Sequence, residues 1–187
     1  MNLPEPVRRH PVRSLWCAAL FCALFFAHPR SQLMFLLGFL VVSAGMALRV
    51  WCGASFDGAP TAGPGRVVRH PGTLGALLAA AGFLLMSTSL TRWGSSLFLW
   101  ACFAAALRLR VLPALAEADR SLAARMGDAF TRWSAEVPLL LPDTRAFAAL
   151  RGLSASLLAP GWGREKRAVW AALGLAALLR FKLTYRL

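Results

Sequence analysis

Two apolar runs of the chain are as long as a membrane-spanning helix, and this feature constrains the fold more than any other. A helix needs about 20 apolar residues to cross a bilayer core. Thr73–Thr91 reads TLGALLAAAGFLLMSTSLT and contains no charge. Leu33–Cys52 contains one charge, Arg49, whose long side chain can extend to the membrane surface. Both runs are therefore predicted to cross a membrane as α-helices.

Three shorter apolar runs accompany these two: Ser14–Ala27, Trp93–Leu107 and Arg167–Phe181. Trp93–Leu107 follows the run before it so closely that the two are predicted to form a helical hairpin. Ser14–Ala27 follows three arginines and has the length of a signal-peptide core, but we interpret it as a tilted first helix. The chain is therefore predicted to be an all-α multi-pass membrane protein with about five transmembrane helices. We predict that residues 1–187 form a single domain with three parts. These are a first helix in 1–32, a core in 33–142, and a linker and C-terminal helix in 143–187.

The charge of the chain favours a membrane surface over nucleic acid as its partner. The chain has 21 Lys and Arg residues against 8 Asp and Glu residues, which gives a net charge of +13. The arginines lie between the apolar runs rather than along one polar face. The predicted partners are therefore anionic phospholipids and not nucleic acid. The 4 cysteines show no zinc-ligand spacing with a histidine, so no metal is expected.

The distribution of positive charge predicts the orientation, because Lys and Arg accumulate on the cytoplasmic side of membrane proteins. With a cytoplasmic N-terminus, segments 1–13, 49–72 and 108–167 lie inside and carry 3, 3 and 10 of these residues. The C-terminal tail carries 3 more, Arg180, Lys182 and Arg186. This tail lies outside if the last apolar run crosses the membrane, which we favour over a position in the interface. The excess of Arg over Lys is typical of GC-rich coding, and the predicted location is a bacterial inner membrane.

A helix with one apolar face is predicted in the cytoplasmic segment after the hairpin. Pro113 marks its start or a kink, and the VPLLLP sequence at Val137–Pro142 ends it. The apolar face is formed by residues at helical spacing: Leu115, Leu122, Met126, Phe130, Trp133 and Val137. Further on, Ala159–Arg164 (APGWGR) is predicted to be a turn-rich link to the last helix.

Asp119 lies on this apolar face, four residues after Leu115. A carboxylate there is costly unless it has a partner. The arginines of the preceding loop, or Arg108 and Arg110, are available as partners. Glu117 points roughly away from the face. Asp119 is thus either half of a structural ion pair or the carboxylate of a site.

A Gly- and Pro-rich segment, GPGRVVRHPGTLG at Gly63–Gly75, leads into the uncharged apolar run. Its glycines and prolines exclude a regular helix until about Thr73, so we predict a loop at the cytoplasmic membrane surface. Free N–H groups at the following helix N-terminus favour anions, and Arg66 and Arg69 add donors that grip a carboxylate or phosphate in two-pronged fashion. His70 can donate or accept a proton near neutral pH. The segment is either an anion-binding loop or a positively charged connector whose arginines touch lipid phosphates.

The loop, the hairpin and the helix together resemble the integral-membrane methyltransferases related to isoprenylcysteine carboxyl methyltransferase and phospholipid N-methyltransferase. That family carries a loop resembling G-P-Y-R-Y-V-R-H-P-x-Y-x-G, then a hydrophobic hairpin. A helix resembling E-E-x-x-L-x-x-x-F-G-x-x-Y-x-x-Y follows and ends in V-P-x-x-x-P. This chain has GPGRVVRHPGTLG, the hairpin Thr73–Leu107, the sequence ADRSLAARMGDAFTRW at Ala118–Trp133, and VPLLLP. The resemblance covers 33–142, and its specificity comes from the order and spacing of the motifs.

The resemblance implies S-adenosylmethionine as cofactor, held at the cytoplasmic face, and an acceptor that arrives from the lipid phase. Carried over position by position, it implies these cofactor-binding residues: Gly63, Pro64, Arg66, Arg69, His70, Pro71, Gly75 and Asp119, with Glu117 as a neighbouring acid. Arg69, His70 and Asp119 are the candidate catalytic residues. Arg69 or Arg66 is expected to pair with the carboxylate of the cofactor or of an acidic acceptor. Asp119, with Glu117, is expected to bind cofactor amino or ribose groups, and His70 to orient the loop or act as the base for an amine acceptor.

The chain departs from the family pattern at three aromatic positions of the loop, which hold Gly65, Val67 and Thr73, and at the first acidic position, Ala118. Smaller side chains widen a pocket or remove stacking surface. The resemblance implies methyl transfer to a lipid-like or lipid-linked acceptor whose reacting group is a carboxylate, an amine or a hydroxyl, and the smaller side chains are expected to suit an acceptor bulkier than the family's usual substrate. The alternative is a non-catalytic membrane scaffold or assembly protein on the same fold. A transporter is disfavoured because no charge lies at the centre of either hairpin helix.

Overall fold

The computed structural model describes residues 31–54, 63–89, 93–140 and 158–185. Within these ranges every regular element is helical. The elements in chain order are α1 (Gln32–Ala54), a 3-10 turn (Gly63–Arg66), α2 (Pro71–Ser87), α3 (Trp93–Ala106), a π-helical turn (Leu107–Val111), α4 (Leu112–Met126), α5 (Asp128–Glu136) and α6 (Leu158–Tyr185). The all-α prediction is confirmed for this part of the chain. The first apolar run, at 14–27, lies outside the described residues.

Helices α1 and α2 approach each other closely through four glycines. Gly38 lies opposite Gly82, and Gly45 lies opposite Gly75, so the two helices are antiparallel. A Cβ placed on Gly45 would lie 2.6 Å from the carbonyl oxygen of Gly75, which is closer than van der Waals contact allows. The two glycines of each helix are seven residues apart, which is about two turns, so both pairs lie along one contact line. Larger side chains at these positions would force the helices apart.

Helix α6 also packs antiparallel against α1. Its buried residues form one apolar core with residues of α1 and α2: Ala172, Ala176 and Leu179 with Phe35, Val42, Phe83 and Met86. At one end of the pair, the guanidinium carbon of Arg180 lies 5.6 Å from the ring centroid of Phe35. At the other end, Arg49 pairs with Glu165. The three helices therefore form a bundle in which α1 contacts both of the others extensively.

Helix α6 begins earlier than the sequence predicts. The turn-rich link predicted at Ala159–Arg164 is wrong, because the helix runs from Leu158 to Tyr185 over 28 residues. Pro160 falls in its first turn, where the missing N–H of a proline costs the helix no hydrogen bond. Glycines inside a helix lower its stability by about 1 kcal/mol each without ending it.

Helices α3 and α4 form one rod of 34 residues, Trp93–Met126, through the π-helical turn. The predicted end of the apolar helix at Leu107 is therefore wrong, because the helix widens there and continues. Pro113 follows the π-helical turn directly and lies inside this continuous helix, so it marks a local change of helix type rather than a start. Two hydrogen bonds join the residues after α2 to the N-terminal half of α3: Ser96 Oγ accepts from the Ser89 N–H at 2.9 Å, and Trp100 Nε1 donates to Thr88 Oγ1 at 3.2 Å. The helical hairpin itself stays a prediction.

The predicted helix with one apolar face is divided in two at Gly127, whose φ of 56° lies in the left-handed region that favours glycine. The face itself is confirmed. Its buried residues are Leu115, Trp133 and Val137. Leu122, Met126 and Phe130 are partly buried. Helix α5 ends at Glu136, directly before the VPLLLP segment that was predicted to end it.

Three helices in the described part of the chain are long and apolar enough to cross a membrane. They are Gln32–Gly53, Trp93–Met126 and Glu165–Tyr185, with mean hydropathies of 2.1, 1.6 and 1.3. Helix α2 is also apolar but shorter. Large apolar side chains on α3 are exposed, among them Trp93, Leu97 and Phe98. Such a surface is rare on soluble monomers, and these features are consistent with a membrane protein.

Candidate functional site

The loop before α2 places two polar side chains at the beginning of that helix. After the 3-10 turn Gly63–Arg66, the chain is irregular until Pro71, which occupies the first turn of α2. Proline is well suited to this position because its fixed φ matches the helix. An N–H at this position has no acceptor within the helix, so proline loses no hydrogen bond by lacking one. His70 immediately precedes the helix, and Arg69 precedes His70. Both side chains therefore start beside the positive end of the helix dipole.

Asp119 of α4 contacts both of these side chains. Its Oδ2 lies 2.6 Å from Arg69 Nη1, and its Oδ1 lies 2.7 Å from His70 Nε2. The three side chains are mostly buried, with exposed fractions of 19% for Arg69, 11% for His70 and 18% for Asp119. The partner of Asp119 is thus the loop, not Arg108 or Arg110, which are both exposed. We call these three residues the Arg-His-Asp cluster.

Backbone and apolar contacts hold the loop in place around the cluster. The N–H of Arg69 donates to the carbonyl of Pro138 at 2.9 Å, directly after α5. The indole Nε1 of Trp133, which is buried on α5, donates to the carbonyl of Gly65 at 3.2 Å. Val67 and Val68 of the loop pack against Trp51 of α1. The loop is therefore fixed by α1, α4 and the end of α5, which restricts the orientations open to Arg69 and His70.

Arg69 retains hydrogen-bonding capacity that its contact with Asp119 does not use. Its Nε atom is buried and has no hydrogen-bond partner among the described residues. In a guanidinium group, Nη1 lies on the Cδ side, so the edge formed by Nε and Nη2 is separate from the Nη1 position that contacts Asp119. That edge matches the two oxygens of a carboxylate or phosphate. A buried donor without a hydrogen bond lowers the stability of the folded protein by about 1–3 kcal/mol. A second anion bound at this edge would remove that cost.

The other candidate residues lie in different surroundings. Arg66 is exposed. Glu117 is 74% exposed and pairs with Arg120 at 3.2 Å, so the structure does not bring Glu117 to the cluster. Gly63 and Pro64 belong to the 3-10 turn, and Pro71 is buried at the start of α2.

Gly75 has a packing role that the resemblance to the methyltransferase family did not indicate. A Cβ placed on it would lie 2.7 Å from the carbonyl oxygen of Gly45 in α1. Its absent side chain lets α2 approach α1, and this contact sets the position of α2, whose N-terminus carries the loop. The equal spacing of the glycines in the two apolar runs was the sequence signal for this contact.

Arg49 has a partner that sequence reasoning missed. Its Nε and Nη2 both donate to Glu165 Oε2 of α6, at 3.0 and 2.8 Å. The Arg49 side chain is 30% exposed, and the expectation that it extends to the membrane surface stays a prediction beside this pair. A single acid at the start of an apolar helix was the available signal, since such a group needs a cation nearby.

Gly65 and Pro138 also support the cluster through their carbonyl groups, a role that no side-chain pattern can reveal.

Comparison of the chain with protein-family models, with curated proteins and with solved structures gives no match.

Proposed function

We propose that the chain is an integral-membrane S-adenosylmethionine-dependent methyltransferase that acts on a lipid-like or lipid-linked acceptor. The observation that carries the proposal is the Arg-His-Asp cluster at the N-terminus of an apolar helix, in which the buried Nε of Arg69 has no hydrogen-bond partner among the described residues. The resemblance of the loop, hairpin and acidic helix to the isoprenylcysteine carboxyl methyltransferase-like family supports the same assignment.

The residues of the cluster fit the chemical groups of this cofactor. Arg69 would hold the cofactor carboxylate on its Nε edge, beside the positive end of the α2 dipole. Asp119 already accepts one hydrogen bond on each oxygen, and each oxygen has a further lone pair for an amino or hydroxyl donor. Gly63, Pro64 and Pro71 shape the backbone of the loop. When bound, S-adenosylmethionine supplies an electrophilic methyl group.

The protein's own contribution to such a transfer is alignment and exclusion of water. Asp119 fixes the orientations of Arg69 and His70, and the apolar helices around the loop keep the site at membrane depth. A carboxylate acceptor needs no base. An amine acceptor must lose a proton, and His70 would accept it once its contact with Asp119 opens.

The proposed topology follows from the charge distribution. The N-terminus and the loop lie on the cytoplasmic side of a bacterial inner membrane, and the chain crosses the membrane about five times. The acceptor enters the site from the bilayer.

A non-catalytic membrane scaffold or assembly protein is the second candidate. Two observations favour it: the polar groups of the cluster already bond to each other, and Gly65, Val67 and Thr73 replace the three loop aromatics of the family. In this case the cluster only attaches the loop to α4.

Cofactor binding to the purified protein in detergent decides between the two functions. The wild type is expected to bind S-adenosylmethionine. Arg69→Ala and Asp119→Ala are each expected to weaken binding at least tenfold, which corresponds to about 1.4 kcal/mol. Arg69→Lys keeps the charge but loses the planar fork, and should weaken binding without unfolding the loop. Glu136→Ala, an exposed acid at the end of α5, is the control. A folded wild type that does not bind the cofactor would favour the scaffold.

A further inference from the structure

An apolar groove lies between α1 and α6. Its volume is about 190 Å³. Its walls include residues of both helices: Phe39, Ser43 and Met46 on α1, and Val169, Ala172 and Leu173 on α6. Ser43 and Ala172 are small residues, and a gap remains because they do not fill the space between the two helices. Ser43 is exposed at the rim, so the groove is open to the surroundings.

One end of the groove is positively charged. Arg49 follows Met46 by three residues, and Glu165 precedes Val169 by four, so their ion pair lies about one turn beyond the groove on each helix. Lys166 follows Glu165 directly in α6 and is exposed. Two cations, Arg49 and Lys166, therefore accompany one acid at this end, which leaves a net positive charge beside an apolar groove.

We infer that the groove binds one acyl chain of an anionic phospholipid, with the phosphate at the end that carries Arg49 and Lys166. Both helices are apolar and long enough to cross a membrane, so the groove opens toward hydrocarbon. Pockets for whole drug-sized molecules measure about 300–1,000 Å³, so a groove of about 190 Å³ fits part of one chain. Each Lys or Arg near a membrane surface strengthens binding to anionic headgroups about fivefold.

The inference does not rest on the proposed methyltransferase function, and cofactor binding is not its readout. The test is native mass spectrometry of the purified protein in detergent with dioleoylphosphatidylglycerol as the probe. Ser43→Leu fills the groove from its rim. Ala44→Leu adds the same side chain to the next exposed position of α1, which does not line the groove. We expect Ser43→Leu to raise the apparent Kd for the first bound lipid about tenfold, or about 1.4 kcal/mol, and Ala44→Leu to leave it unchanged.

A second variant tests the opposite wall. Leu173→Phe is expected to weaken lipid binding as Ser43→Leu does, and it keeps the test valid if Ser43→Leu fails to fold. Equal lipid binding by wild type, Ser43→Leu, Leu173→Phe and Ala44→Leu would overturn the inference. A groove covered by the apolar run 14–27 or by a second copy of the chain would give that result.

The headgroup is tested with dioleoylphosphatidylcholine, which has the same chains and no net charge. The wild type is expected to bind it more weakly than dioleoylphosphatidylglycerol. Lys166→Gln should reduce this difference, whereas Arg167→Gln, on the opposite side of α6, should leave it unchanged. Equal binding of the two lipids by the wild type would overturn the assignment of an anionic headgroup.

Discussion

Arg69 and Asp119 are 50 residues apart in the chain, and Arg69 Nη1 lies 2.6 Å from Asp119 Oδ2. This contact joins the loop before α2 to the apolar face of α4. His70, the next residue, contacts the other oxygen of the same carboxylate at 2.7 Å. One acid therefore determines the position of two consecutive side chains, and the loop depends on it both for its attachment and for any ligand that it binds.

Replacing Asp119 by Ala is expected to lower the free energy of unfolding by about 2–3 kcal/mol, because it leaves a mostly buried guanidinium without its anion. Chemical unfolding in detergent micelles measures the change. Glu117→Ala removes an exposed acid from the same helix and should change stability by less than about 0.5 kcal/mol. Similar losses for the two variants would show that the Arg-His-Asp cluster does not hold the loop.

Gly45→Ala is expected to destabilise the protein by about 1–3 kcal/mol, because the new Cβ overlaps a backbone carbonyl that cannot move independently of its helix. Gly174→Ala in α6 is the matched control, since nothing lies within 4 Å of its Cβ position. The control should raise stability by about 0.5–1 kcal/mol through helix propensity. Thermal unfolding of the two variants should therefore shift in opposite directions, and a gain for both would contradict the close helix contact.

Trp133→Phe keeps most of the buried ring but removes the indole N–H that donates to Gly65. We expect a loss of about 1 kcal/mol and faster hydrogen–deuterium exchange of the amides at 65–70, including the Arg69 N–H. Trp93→Phe, whose parent side chain is 73% exposed, should change neither quantity. Unchanged exchange in the loop of Trp133→Phe would show that the indole is not needed to position it.

The proposed topology predicts which positions a membrane-impermeant maleimide reaches. In a chain whose own cysteines are replaced by Ser, Arg66→Cys and Glu117→Cys should react only after the cells are permeabilised, because both positions are exposed and are proposed to be cytoplasmic. Arg92→Cys, which lies between the two apolar runs in the sequence and is proposed to be outside, should react in intact spheroplasts. The reverse pattern would place the loop outside and remove the proposed access of a cytoplasmic cofactor.

The helical elements were largely predictable, because hydrophobic length and periodicity are local properties of the chain. The apolar runs around Leu33–Cys52 and Thr73–Thr91 became α1 and α2, and the apolar face of the helix after the hairpin is the more buried one. The errors arose where local signals compete. Helix α3 continues past Leu107 through a π-helical turn, and α6 includes the Gly- and Pro-containing segment Ala159–Arg164, because a proline in a first turn does not prevent a helix.

The sequence by itself determined that the chain is helical and apolar, and that Asp119 on an apolar face needs a cation. It left the partner open among several arginines. Only the tertiary structure decided that Arg69 and His70 share this acid, that Arg49 pairs with Glu165, and that Gly75 is a packing residue. The physical reason is that pairing and close approach depend on how helices distant in sequence lie against each other, which is set by glycine contacts and backbone hydrogen bonds rather than by any single segment.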